Sequence, residues 1–300
     1  MVFSFTKRTV KRTNKKGTNA QHDFDDTKES IADGIAEYTG KTAGSLAGCA
    51  IGSVFAGPGG AAVGAIAGAA VEHLFQKAGN GIKKRVLALS EDKRVGTVYV
   101  QAKNIIEQKC AEGTHPRDDG FFDGDEEDRS AGEELLEGVL IAAQREYEEK
   151  KTVYLARLYA NILFHPEISR PMANHLLKIS EQLTYRQIVI LGTLGSFVVA
   201  GQALPELKVL KQTAYTEVSG LENVAIAAEI YDMYRMSILG SSEAILDSAG
   251  INPSALVIVG YGANLYNLME LHNLEQNSEL PTIQAQIVEF LIGHEAQREA

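Results

Sequence analysis

Small residues recur at every fourth position across one stretch of this chain: Gly40, Gly44, Gly48, Gly52, Ala56, Gly60, Gly64 and Gly68. A helix brings residues i and i+4 onto one face. A face without side chains lets a second helix approach closely, which is how small-xxx-small packing works. "GPGG" at 57–60 interrupts the stripe near its middle, where Pro58 and consecutive glycines turn a chain. The pattern predicts a glycine-zipper helical hairpin. Gly44, Gly48, Gly52, Gly60, Gly64 and Gly68 are its packing positions and Pro58 marks its turn.

No charged side chain occurs between Lys41 and Glu72. Split at Pro58, each arm has about 15 residues, or roughly 22 Å of helix, short of the roughly 30 Å hydrocarbon core. Large apolar side chains are sparse, limited to Leu46, Ile51, Val54, Phe55, Val63, Ile66 and Val71. Insertion of one copy is therefore marginal, and the segment suits partial entry or entry by several packed copies. Lys41 on one side and Lys77, Lys83, Lys84 and Arg85 on the other would keep both ends on the cytoplasmic side. An Ala/Gly-rich helix pair buried beneath the rest of the protein satisfies the same pattern, so both readings stay open. A phosphate loop does not fit. "GIAEYTGKT" ends in GKT, but Gly34 is one residue too far from Gly40 for GxxxxGK[ST], and no strand precedes it.

Charge is uneven along the chain. Lys7, Arg8, Lys11, Arg12, Lys15 and Lys16 stand among the first seventeen residues without an acid. From Pro171 onward six Lys/Arg face fourteen Asp/Glu, a net of −8 that would repel a phosphate backbone and argues against nucleic acid as partner. Cys49 and Cys110 show no metal-ligand spacing and fit a reducing, cytoplasmic setting. The polar, acidic "NAQHDFDDTKES" after the basic start argues against a cleaved signal.

The fold expected is mainly α: a glycine-zipper helical hairpin, then a helical domain with a small winged-helix-like C-terminal part. The divisions expected are a disordered basic arm at 1–24, the hairpin region at 25–85, a helical domain at 86–195 with an acidic loop at 114–134, and the winged-helix-like part at 196–300. "DDTKESIADGIAEYTG" reads as a short helix before the hairpin, and a longer helix starts near Ser90 and stops at Gly113. "ELLEGVLIAAQREYEEKKTVYLARLYANILF" repeats apolar residues at helical spacing, as one bent helix or two. Ser169 and Pro171 make a natural helix start, and Thr184 with Gln187 has capping-box spacing. "LENVAIAAEIYDMYRMSILG" reads as a helix to its glycine, "ALVIV" at 255–259 as a strand, and "GYGANLYNLMELHNL" as a helix. A last helix is expected with Thr282 as its cap.

Sites of chemistry are few. Asp118, Asp119, Asp123 and Asp125 could form a cation-binding or regulatory loop, since oxygen ligands are dense there. The calcium-loop template fails because Asp128 holds the sixth position, where glycine is needed, so a solvated acidic loop is the simpler reading. The histidines have no HxxxH or HExxH spacing. Glu146, Glu148, Glu149, Lys150 and Lys151 read as a solvated helical face, and Tyr147, Tyr154 and Tyr159 as core or interface. No nucleophile-base pattern points to an enzyme, and no cofactor or metal is expected.

At "EYEEKKTVYLARLYANILFHPEISRPMANHLLKISEQLTYRQIVIL" the sequence resembles bacterial proteins of the abortive-infection alpha family. Leu158, Asn161, Gln182, Leu183 and Thr184 hold places corresponding to the Leu-x-Asn and Gln-Leu-Ser/Thr elements of that family. "ALVIVGYGANLYNLMEL" is similar to the strand and Gly-x-x-hydrophobic wing that closes such domains. The resemblance, over about residues 130–275, implies a role in phage defence through arrest or death of the infected cell, and supplies no catalytic residues.

Together these features lead to the expectation of a non-enzymatic membrane effector at the cytoplasmic face of the inner membrane, or in the cytoplasm. It would self-associate and answer to a protein trigger. The other expectation is a cytosolic regulator or scaffold acting by protein–protein contact.

Overall fold

The computed structural model describes residues 71, 73–75, 77, 89–124, 129–199, 220–242, 244–246, 248, 251 and 255–292. The arm at 1–24, the short helix expected after it and the glycine hairpin lie outside the described residues. Within them the protein is mainly helical, with one two-stranded antiparallel sheet.

Helix α1 (Leu89–Ala111) starts near Ser90, as its sequence predicts, and carries Glu91 and Asp92 in its first turn. It stops as expected at Gly113, whose φ of +89° suits glycine. Helix α2 (Ala131–Arg145) starts on the Ser130 hydroxyl, which accepts from the Glu133 N–H at 3.2 Å. The apolar run from Glu134 to Phe164 forms two helices: a short 3-10 turn (Glu149–Lys151) separates α2 from α3 (Thr152–Ile162). Helix α4 (Arg170–Gln182) begins on Ser169 with Pro171 in its first turn, as its sequence predicts. Helix α5 (Tyr185–Val199) follows a complete capping box. The Thr184 N–H donates to Gln187 Oε1 at 2.9 Å, and the Gln187 N–H donates to Thr184 Oγ1 at 3.1 Å.

The second half begins with α6 (Leu221–Arg235), then strands β1 (Leu239–Ser241) and β2 (Leu256–Ile258), α7 (Gly260–Leu268) and α8 (Leu280–Ile292). Leu239, Gly240 and Ser241 pair antiparallel with Ile258, Val257 and Leu256. Two expectations fail here. The helix read through to Gly240 ends at Arg235, because Ser237 turns the chain at φ 58° and "ILGS" enters the sheet. The last helix begins at Leu280, not on Thr282: Asn277 Oδ1 accepts from the Glu279 and Leu280 N–H groups, each at 3.0 Å, and supplies the cap.

Helix α3 is the axis of the molecule. It packs against α1, α2, α4 and α7, and every one of its residues is buried. An amphipathic surface helix buries one stripe; a helix buried all round is the centre of a bundle. Helix α5 joins the second half, packing on α6, α7, α8 and β2, so it crosses the boundary expected at 195/196. Where α7 meets β1, a Cβ on Gly262 would lie 2.0 Å from the Ile238 carbonyl oxygen, so only glycine allows this approach.

Candidate functional site

The charge-free run ends in a docked helical turn. Val71, His73, Leu74, Phe75 and Lys77 all lie in helical backbone. The spacing 71, 74, 75 puts three apolar side chains on one face, and all three are buried while His73 and Lys77 are exposed. Phe75, 4% exposed, meets Tyr99 of α1 edge-to-face with centroids 5.1 Å apart, and Tyr159 of α3 at 6.1 Å. The Tyr99 hydroxyl donates to the Phe75 carbonyl at 2.7 Å. Leu74 lies over Gly132 in the first turn of α2, where a Cβ would stand 3.0 Å from Leu74 Cδ1 and 3.1 Å from Phe122 Cδ1. Lys77 Nζ donates to the Glu133 carboxylate at 2.7 Å.

Magnitudes rank these contacts. A half-exposed ion pair such as Lys77–Glu133 contributes about 0–1 kcal/mol, whereas each buried Val, Leu or Phe contributes roughly 1.5–3 kcal/mol. Apolar burial therefore holds the turn, and the polar contacts fix its register. One feature opposes docking. The Tyr159 hydroxyl is buried with no hydrogen-bond partner among the described residues, an omission that costs about 1–3 kcal/mol. Burial pushes the Tyr159 phenol well up, with Tyr99 and Glu133 adding to the shift. Burial likewise raises Tyr99.

A second constellation extends from the same helix to residues 268–277. Asn161 Nδ2 donates to the Leu268 carbonyl at 2.8 Å and to Glu270 Oε1 at 3.0 Å. Arg157 donates to the Asn273 carbonyl at 2.7 Å and to Glu275 Oε2 at 3.1 Å, while the Glu275 N–H donates to the Tyr154 hydroxyl at 3.0 Å. Burial raises the Tyr154 phenol to about 12. Glu270 holds a left-handed backbone, φ 54°, and its carboxylate also faces Lys109 at 3.9 Å. These polar groups fasten α3 to a segment more than a hundred residues away.

The charged stretch between α2 and α3 is corrected by the structure. Glu146 and Lys151 are buried, pair at 2.5 Å, and lie where the helix breaks; Lys151 Nζ also reaches the Glu181 carbonyl at 3.3 Å. Glu148 accepts from the Tyr185 N–H at 2.9 Å at the start of α5. Tyr154 and Tyr159 are core, as expected, but Tyr147 is 82% exposed.

Among the acidic-loop residues, Asp119 is engaged by Arg117, whose Nε donates to Asp119 Oδ1 at 2.7 Å and whose Nη2 reaches the other oxygen. That hydrogen bond holds the Asp119 carboxyl below its usual range. The Arg117 side chain is buried, donates to the His165, Pro166 and Ile168 carbonyls, and lies over the Phe121 ring at 4.1 Å. Asp118 and Asp123 are exposed, and Asp125 lies outside the described residues. No group of three or more His, Cys, Asp or Glu able to hold a metal occurs among the described residues. Gly44, Gly48, Gly52, Pro58, Gly60, Gly64 and Gly68 lie outside the described residues. Among those described, no helix is long and apolar enough to cross a membrane.

Compared with known proteins, the chain matches no family model, no curated protein and no solved structure. The residues without a role in the sequence are Leu74 and Phe75 of the turn and their partners Tyr99 and Gly132. The signal for the turn was present in "VEHLFQK", where apolar residues at 71, 74 and 75 alternate with polar ones at helical spacing.

Proposed function

We propose that the protein is a membrane-associated bacterial effector whose glycine-zipper hairpin inserts or oligomerises in the membrane under control of the helical body. The observation that carries this reading is the junction. A thirty-residue run without charge, striped with small residues, leads directly into a turn whose apolar face is buried on the body. A body that grips the base of an apolar segment can govern where that segment goes. The order α6, β1, β2, α7 supports a winged-helix-like part, proposed as the region that senses a protein trigger. The resemblance to abortive-infection alpha proteins supports phage defence as the setting.

Replacing Gly48 and Gly64 together with Leu should abolish membrane activity and leave the helical body folded, because side chains on the small face prevent close packing. The check is an alkaline carbonate wash of membranes from cells making the full chain, followed by dye leakage from vesicles. Wild type that stays in the washed pellet, and a double variant that does not, would support the reading. Wild-type leakage activity in the double variant would remove it.

The buried face of Val71, Leu74 and Phe75 also favours a second reading, in which the whole segment is core and the protein acts on protein partners. Deleting 42–70 separates the two. A membrane element releases a folded body into the wash supernatant, whereas a core element leaves an aggregated remainder.

A further inference from the structure

We draw no further inference here: the strongest candidate, the outer face of the β1–β2 sheet, where Val257 is exposed opposite Gly240, is an unpartnered apolar face, and nothing in the structure shows what covers it.

Discussion

Helix α3 and the turn at 71–77 touch each other through Tyr159 and Phe75, yet they are held in different ways. The helix is enclosed on every side, and its Tyr154, Arg157 and Asn161 are tied to residues 268–277. The turn is held on one face by three apolar side chains, while its His73 and Lys77 are exposed. An element fixed from all directions can move only when the bundle opens, whereas an element fixed from one side can leave alone. Local opening below the global unfolding free energy belongs to regions of the second kind. The difference separates an element that opens only with the bundle from one whose described hold lies on a single apolar face.

The strongest way to break the comparison is to damage the enclosed helix. Leu158→Ala, at a position with no exposure, should lower global stability by about 2–5 kcal/mol. Chemical denaturation measures it, and exchange protection should fall in α3 and the turn together, since one is the floor of the other. A narrower substitution sharpens the contrast. Asn161→Ala leaves the Leu268 carbonyl unpaired and should cost about 1–3 kcal/mol. Its exchange signature should appear at 268–277 and spare 71–75, because Asn161 serves only the far attachment.

The smallest expected effect concerns pH. Glu134 of α2 accepts from Arg170 and Asn174 of α4, and the Arg170 bond above all, with Asn174 adding to it, holds its carboxyl below the ordinary range. A carboxylate with a depressed folded pKa adds stability above its unfolded value and loses it as pH falls through the folded one. Glu134→Gln should therefore cost little, under about 1 kcal/mol at neutral pH for so exposed a pair. It should also flatten the decline of stability on acidification, measured by thermal melts from neutral to acid.

Local signals were legible in the sequence. The Ser169–Pro171 start, the Thr184–Gln187 box and the Gly113 stop each depend on residues a few positions apart, and each appears as expected. Misreadings occurred where a distant partner decides. Glu146 and Lys151 look like a solvated pair until the break between α2 and α3 folds them inward against the Glu181 carbonyl. "ILGS" looks like the tail of α6 because its strand identity depends on pairing with Leu256–Ile258. Tyr147 and Tyr154 share one helical pattern, but the break turns the first outward. The candidate site was half legible: the small-residue stripe was conspicuous, while its anchor depended on Tyr99, Gly132 and Tyr159 from three different helices.

The ties between α3 and residues 268–277 also set an order of events during synthesis. The partners of Tyr154, Arg157 and Asn161 lie 107 to 121 positions later in the chain. A ribosome adding about 5–20 residues per second needs roughly 5–25 seconds to deliver them. During that interval three polar side chains destined for the interior have only water to bond. The central helix therefore reaches its final seat late, and the slot it lines for the turn is completed after Val71, Leu74 and Phe75 have long since left the ribosome. For those seconds their apolar side chains exist before the surface that receives them, so the timing of translation is itself an interval in which the nascent chain can meet other apolar surfaces.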